Sequence, residues 1–260
     1  MIDIEALTAY YPQQIGGNIA YHKHILKEYV ELLAVEYISQ SEWAGKLAFI
    51  GGTNLRLIQR IDRFSEDLDF DCKGLTKEEF MEMTDSVVEQ LSSNGLRVEV
   101  RDRENPNLTA YRRNIFFPGL LFEMHLTGHR EERFLMKVEA QDQGVSYETL
   151  SSPVNLCGFM FMTRTPSKSV LLSMKLSALL SRGKGRDFYD TMFLWQQVEP
   201  DYDFLKMRCG IGSKQELKQA LLEKLRETDL EQKRRDFEHL LFNPRRSGVI
   251  LHFGAFVEDK

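Results

Sequence analysis

The chain has 260 residues, 42% of them hydrophobic, which is enough to bury one large core or two modest ones. With a formal charge of −5, the chain lacks the overall positive charge that is typical of proteins that bind DNA or RNA. The local basic stretches 101–113 and 233–246 are more typical of solvated surface than of a binding groove. No apolar run approaches the roughly 18 residues of a membrane span, and the three cysteines lack disulfide or zinc spacing. We therefore expect a cytoplasmic protein without membrane association or a DNA footprint.

In the first quarter of the chain, a helix, a strand and a second helix are predicted in that order. Apolar residues recur at helical spacing over 21–39 and indicate an amphipathic helix. A short apolar strand at 46–50 then stops at the tight turn Gly51-Gly52. Thr53 is predicted to be the N-cap of the helix that follows.

Within the segment 66–72, aspartates alternate with apolar residues from Asp67 onward. A strand here places Asp67, Asp69 and Asp71 on one face, opposite an apolar face. A helix over 76–91 follows, and its Thr76 and Glu79 have the spacing of a capping box. Strand-like pieces come next, at 96–101, 111–117, 133–140 and 159–162.

From residue 167 onward every long segment has helical periodicity. The predicted helices are 167–181, 186–197, 213–227 and 230–242. The fold class that we predict is α+β: a mixed β-sheet core flanked by helices in a domain of residues 1–165, followed by a helical C-terminal lobe of residues 166–260.

The pair Asp67 and Asp69 points to metal-dependent phosphate chemistry. Mg²⁺ prefers hard oxygen ligands, and two ions held by neighbouring carboxylates can neutralise the phosphates of a nucleoside triphosphate (NTP). Glycines at 51 and 52 let the backbone approach phosphate, and Thr53 adds a hydroxyl group. Each feature alone is more often an ordinary turn or a solvated acidic face, but their order along the chain is rarer by chance.

Glu139 is the candidate for a third metal ligand. In 133–141 the residues Met136, Val138 and Ala140 share an apolar face, whereas Glu139 lies on the polar face between Lys137 and Gln141. This face either turns into the cleft of the aspartates or is exposed to solvent, and the pattern favours neither.

Two longer motifs resemble a known family. The stretch GGTNLRLIQRIDRFSEDLDFD, together with KLSALLSRGKGRDFYD at 175–190, is similar to the AbiEii/AbiGii toxin family of nucleotidyltransferases, within the polymerase-beta-like superfamily. The resemblance spans roughly residues 46–195. It implies a nucleotidyltransferase-type core with a helical lobe that contributes to the active site. In toxin members it also implies transfer of nucleotides to an RNA or protein target and a separately encoded antitoxin.

The resemblance also assigns individual residues. It implies metal binding by Asp67 and Asp69 and, more loosely, by Glu139. It implies a catalytic and triphosphate-contacting Lys175 and a catalytic Asp187. The remaining residues that it implies for nucleotide binding are Gly51, Gly52, Thr53, Arg63, Ser65 and Asp190. From the residues alone, Lys175 could direct its ammonium at a phosphate or be an ordinary exposed lysine, and Asp187 and Asp190 are more typical of a surface ion-pair cluster than of a site.

The leading hypothesis is a Mg²⁺-dependent nucleotidyltransferase, with two Mg²⁺ ions as cofactors and an NTP as substrate, that modifies an RNA (such as tRNA) or a protein. It would be the toxin of a type IV toxin-antitoxin or abortive-infection system. One alternative is a catalytically weak nucleotide-binding regulatory or interaction module on the same fold. Another is kinase-like phosphoryl transfer. The sequence contains no Walker loop, Rossmann fingerprint or Gly-x-Ser-x-Gly elbow.

Overall fold

The computed structural model describes residues 2–102 and 109–260, so positions 103–108 of the basic stretch 101–113 lie outside the described residues. The chain divides into two compact units. Unit 1 comprises Met1–Gln59, Phe64–Asp142 and Ser151–Thr165, and unit 2 comprises Arg60–Arg63, Gln143–Leu150 and Pro166–Lys260. Two short segments of the predicted first domain, residues 60–63 and 143–150, thus belong to unit 2.

Unit 1 is built around a five-stranded mixed sheet. Its strands, in the order in which they pair, are β1 (Leu47–Ile50), β2 (Asp67–Cys72), β5 (Leu135–Gln141), β4 (Tyr111–Phe116) and β3 (Glu99–Val100). Only β2 and β5 run parallel, and the other neighbours are antiparallel. A separate two-stranded sheet pairs β6 (Thr149–Leu156) with β7 (Phe159–Pro166). The predicted α+β class with a mixed sheet is confirmed.

Unit 1 also contains helices, some of which pack on the sheet. They are α1 (Ile4–Thr8), α2 (Gln13–Gly16), α3 (Ile19–Gln40), α4 (Gly51–Leu57), α5 (Lys77–Ser93) and α6 (Leu120–Glu123). Thr76 and Glu79 form the predicted capping box of α5. The strand core contains Leu68, Val138 and Met136, none of which is exposed to solvent. Burial of such side chains supplies most of the stabilisation of a core.

The start of α4 differs from the prediction. The helix begins at Gly51 and has Ile50 as its N-cap, so the assignment of Thr53 as the N-cap was wrong. Gly51 has φ 77°, in the left-handed region that glycine adopts without a Cβ penalty. Because the glycine itself turns the chain from β1 into the helix, Thr53 lies within the first turn, and its hydroxyl group is available for a different contact.

Unit 2 is helical. Its main helices are α7 (Lys168–Ser181), α8 (Gly185–Trp195), α9 (Tyr202–Cys209), α10 (Lys214–Arg226), α11 (Leu230–Phe237) and α12 (Phe253–Asp259), and 3-10 turns span Glu238–Leu240 and Pro244–His252. Phe188 of α8 packs edge-on against Phe253 of α12, with ring centroids 5.0 Å apart. Within the part of the chain that the structure describes, no helix is long and apolar enough to cross a membrane.

Candidate active site

The predicted carboxylates lie on one face of two neighbouring strands in unit 1. Asp67 and Asp69 are two residues apart on β2, so their side chains leave the sheet on the same side. Across the parallel β2–β5 pair, Asp69 is the direct neighbour of Glu139. The alternating burial of β5 keeps Glu139 on its half-exposed face and Val138 on its buried face. The structure therefore brings the three predicted metal ligands onto a common polar face.

Gly51 lies directly against the carboxylate of Asp69. A Cβ atom added at Gly51 would come within 2.2 Å of Asp69 Oδ2 and 2.7 Å of Asp69 Cβ. Register explains the approach, since Ile50 at the end of β1 pairs with Asp69. The glycine turn and the aspartate pair, predicted from separate parts of the sequence, thus meet at this point.

Thr53 connects the first turn of α4 to the aspartate strand. Its Oγ1 donates a hydrogen bond of 2.6 Å to the backbone carbonyl oxygen of Asp67. In this arrangement the hydroxyl group fixes β2 against α4. Ser65, which precedes the aspartates, is buried, and Gly52 is buried within α4.

A buried ion pair anchors α4 from its far side. Arg56 donates to both carboxylate oxygens of Glu28 on α3, at 2.8 and 3.0 Å, and the Tyr11 hydroxyl donates to the same carboxylate at 2.7 Å. Both charged residues are almost fully buried. Two parallel bonds from a guanidinium fix direction as well as distance. The glycine turn therefore sits on a helix whose position is determined by three side chains.

Two basic side chains on the same face form ion pairs with these carboxylates. Lys137 Nζ donates to Asp67 Oδ1 at 3.0 Å, and Arg112 Nε donates to Glu139 Oε1 at 2.8 Å. Lys137 is the register neighbour of Asp67, and Arg112 is that of Glu139. The oxygen donors are of the type that Mg²⁺ prefers. Among the described residues, however, no three His, Cys, Asp or Glu side chains form a ready-made metal cluster.

Glu31 is a buried carboxyl group that the sequence analysis missed. It lies on α3 with 1% exposure, and its Oε1 has no hydrogen-bond partner. Burial raises the pKa of Glu31 well above its usual value, and the negative charges of Glu28, Asp67 and Glu66 raise it further, against the opposite effect of Lys27. A glutamate among the apolar residues of a core helix was the available signal. Glu31 therefore places a buried carboxyl group with a raised pKa in the electrostatic field of Asp67.

In unit 2, Asp190 is the centre of a buried ion cluster. Arg63 donates to both of its carboxylate oxygens at 2.6 Å, and Lys175 Nζ lies 2.8 Å from Oδ2. Arg63 and Asp190 have no exposed surface. Burial alone would raise the pKa of Asp190, but the charges of Arg63 and Lys175 outweigh it and lower the pKa to about 2. Arg63 thus holds Asp190, which in turn orients the Lys175 ammonium.

Asp187 forms a second pair one helical turn earlier. Arg182 donates to its two carboxylate oxygens at 2.9 Å each, and the backbone amide of Lys184 donates at 3.1 Å. Burial raises the pKa of Asp187, whereas the hydrogen bond from Arg182 and the charge of Lys175 lower it, and the net shift is downward. The aspartate therefore caps α8 as well as carrying charge. Its catalytic role, like the triphosphate role of Lys175, stays a prediction.

Comparisons with known proteins identify the family of the chain. A family model described as "Nucleotidyl transferase AbiEii toxin, Type IV TA system" matches residues 32–247, which include the glycine turn, the aspartate strand and α8. The chain belongs to the AbiEii family. It is thus a toxin-type nucleotidyltransferase, as the resemblance of the two motifs predicted. No curated protein sequence matches the chain.

One solved structure supports the fold, and a second has a lower TM-score. MenT4, the nucleotidyltransferase toxin Rv2826c from Mycobacterium tuberculosis H37Rv, is similar with a TM-score of 0.56 at 17% identity, covering 97% of this chain and 98% of MenT4. JHP933 from Helicobacter pylori has a TM-score of 0.48 at 17% identity, covering 91% of this chain and 94% of that protein. At this level of identity, the likeness to MenT4 shows a shared fold.

Proposed function

We propose that this AbiEii-family chain uses Mg²⁺ to transfer a nucleotide from an NTP to an RNA, such as a tRNA, or to a protein. The supporting observation is the contact of Gly51 with the Asp69 carboxylate, on the same face as Asp67 and Glu139. Asp67, Asp69 and Glu139 would hold two Mg²⁺ ions. When bound, these ions would neutralise the triphosphate and lower the pKa of the attacking hydroxyl group.

The glycine turn has a separate task in this proposal. With no side chain at Gly51 and Gly52, phosphate oxygens can approach the first amides of α4, whose N-terminal dipole favours negative charge. Thr53 keeps these amides aligned with β2 through its bond to the Asp67 carbonyl. Lys175, held by Asp190, would supply a further positive charge to the triphosphate.

Arg63 has a supporting task in the same proposal. Arg63 donates two hydrogen bonds to Asp190, and neither side chain is exposed to solvent. Arg63 would therefore position the Asp190–Lys175 pair and would not touch the nucleotide itself. Ser65, also buried, would shape the approach to β2.

The biological role follows from the family. We propose that the chain is the toxin of a type IV toxin-antitoxin or abortive-infection system, with a separately encoded antitoxin, and that it acts in the cytoplasm, where NTPs and tRNA are present. Co-expression with the adjacent gene is the direct test. Growth arrest by the chain alone and relief by the neighbour would support the role, and growth unaffected by the chain would contradict it.

One observation favours the alternative of a catalytically weak nucleotide-binding module. Asp67 and Glu139 are engaged by Lys137 and Arg112, so a metal would have to displace two cations before it could bind. Incubation with total RNA, total protein and either α- or γ-labelled NTP separates the possibilities. Transfer of the α-label with pyrophosphate release supports nucleotidyl transfer. Transfer of only the γ-label indicates kinase chemistry, and binding without transfer indicates the module.

A further inference from the structure

Unit 2 contains an open cavity of about 570 Å³ with an arginine rim and an apolar floor. Its position derives from three segments: residues 60–62, helix α8 and the 3-10 turn Pro244–His252. The rim is formed by Arg60, Arg245 and Arg246, and we call the site the arginine-rimmed cavity. None of its lining residues is among those predicted for triphosphate binding.

The rim carries excess positive charge. The lining contains three arginines and one carboxylate, Asp62, which is a formal excess of two positive charges. Asp62 accepts hydrogen bonds from Arg246 and from the Tyr189 hydroxyl, the latter at 2.7 Å. Within residues 2–102 and 109–260, the Arg245 guanidinium has no ion pair or hydrogen bond. The cavity therefore combines one oriented arginine with one that is available to an incoming anion.

The backbone that supplies Arg60 is constrained. Arg60 has φ 63°, a left-handed conformation that is unfavourable for a residue with a Cβ atom. The segment is held by an antiparallel bridge between Arg63 and Leu241 and by a 3.0 Å hydrogen bond from the Phe242 amide to the Asp62 carbonyl. Such conformations persist only where the surroundings enforce them, and they are concentrated at ligand-binding positions.

The floor is apolar and partly aromatic. We call the apolar and aromatic lining residues the floor: Tyr189, Met192 and Phe193 of α8 and Val249 of the 3-10 turn. An anion without an apolar part would bind the arginines but leave the floor exposed to water. A nucleotide has a phosphate for the arginines and a flat base that can cover the floor. Guanidinium groups match phosphate geometry, and bases stack on aromatic side chains regardless of sequence. The volume lies within the range of about 300–1,000 Å³ that small-molecule sites occupy.

We propose that the arginine-rimmed cavity binds one nucleotide, with its phosphate on Arg60, Arg245 and Arg246 and its base over the floor of α8. The nucleotide is either part of a single-stranded RNA or free in solution. The proposal does not depend on nucleotidyl transfer by unit 1. It gives a function to the basic stretch 233–246, which composition alone had assigned to solvated surface.

Gly248 provides a steric test that leaves every charge in place. It lines the cavity, and a Cβ atom added there would meet nothing within 4 Å. Gly248→Leu should therefore fill the cavity without a backbone clash. The matched control is Gly212→Leu in the same unit, where the nearest atom to an added Cβ is Lys206 Cδ at 3.5 Å and the position lies outside the cavity lining.

The experiment measures binding of a fluorescein-labelled RNA pentamer by anisotropy, and of AMP by calorimetry, without Mg²⁺. Both are done in the Asp67→Asn/Asp69→Asn background, so that failure of nucleotidyl transfer cannot influence the result. Gly248→Leu should weaken binding of the occupying ligand at least tenfold, and Gly212→Leu should not. Loss of RNA binding alone identifies an RNA strand as the source, and equal loss of AMP binding identifies a free nucleotide.

A charge variant keeps the proposal falsifiable if Gly248→Leu perturbs folding. Arg245 is exposed, and Arg245→Gln should weaken RNA binding and reduce the salt dependence by about 0.7 in the slope of log K against log salt. Arg226→Gln, an exposed arginine of α10, should change neither. Wild-type binding by both cavity variants would overturn the proposal. Displacement of the RNA by an acidic peptide of equal charge at equal concentration would also overturn it.

Discussion

Lys137 Nζ lies 3.0 Å from Asp67 Oδ1, between two residues that the β2–β5 register makes direct neighbours. The lysine and a metal ion would compete for the same carboxylate. The Lys137 ammonium thus already binds one of the proposed metal ligands.

The Lys137→Met variant should bind Mn²⁺ more tightly in the absence of nucleotide, because the competing ammonium is gone. Partly exposed ion pairs of this kind contribute about 0.2–1 kcal/mol, so we expect the affinity for Mn²⁺ to rise by about 1.4-fold to fivefold in calorimetry. The matched control is Lys23→Met, which removes a similarly exposed lysine from Glu132 in the same unit. Unchanged or weaker Mn²⁺ binding by Lys137→Met would argue against metal binding at Asp67.

Gly51→Ala should displace the Asp69 carboxylate. The new Cβ atom would meet Asp69 Oδ2 at 2.2 Å, and the left-handed φ adds strain of about 1–2 kcal/mol. Gly74→Ala is the matched control, because Gly74 has φ 64° but nothing lies within 4 Å of its added Cβ. Urea unfolding should show a larger loss of unfolding free energy for Gly51→Ala than for Gly74→Ala. Gly51→Ala should also bind Mn²⁺ more weakly than the wild type. Equal losses of unfolding free energy would mean that the Asp69 carboxylate does not lie against Gly51.

Asp190→Asn should destabilise the protein by about 3–5 kcal/mol at pH 7, since it leaves Arg63 buried without its partner. Glu231→Gln, which removes one surface partner of Arg234, should have a much smaller effect, because solvent screens an exposed ion pair. Both effects are measured by urea unfolding. A small effect at Asp190 would contradict the buried ion cluster.

The same carboxylate predicts a pH dependence. The pKa of Asp190 is about 2 in the folded protein and about 3.9 when unfolded, so its contribution is present above pH 4 and is lost as the pH falls towards 2. The unfolding free energy of the wild type should therefore fall more steeply over this window than that of Asp190→Asn. Parallel curves would show that Asp190 is not stabilised in its charged form.

Glu31→Gln should raise the unfolding free energy at pH 7. Because burial raises the pKa of Glu31, its stabilising contribution is complete below its unfolded pKa and is lost as the pH rises through the folded value. Glutamine keeps the shape but cannot ionise. The variant should therefore show a flatter stability profile than the wild type as the pH rises above the unfolded pKa of about 4.3, and an identical profile would exclude an ionising Glu31.

The parts of the structure that depend on local pattern were predictable. The alternation of β2 and the Thr76–Glu79 capping box need only neighbouring residues, and both are observed. β6 was missed because Pro153 and mostly exposed polar residues interrupt any regular alternation. α9 was missed because only Phe204 and Leu205 are buried in its eight residues.

The contacts that define the site were not predictable in the same way. Pairing of Lys137 with Asp67 requires the order of strands in the sheet, which no local pattern contains. Likewise, Arg63 and Asp190 are 127 residues apart, and only the folded chain brings them together. Family resemblance identified both of these residues, whereas the contact between them comes from the structure.

The most direct test of the central claim is transfer of label from α-labelled NTPs to total RNA or total protein in the presence of Mg²⁺. The wild type should label an acceptor and release pyrophosphate, and Asp67→Asn/Asp69→Asn should reduce labelling at least a hundredfold while its urea unfolding shows a folded protein. Labelling by the double variant at the wild-type rate would contradict the proposal that these two carboxylates hold the metal ions.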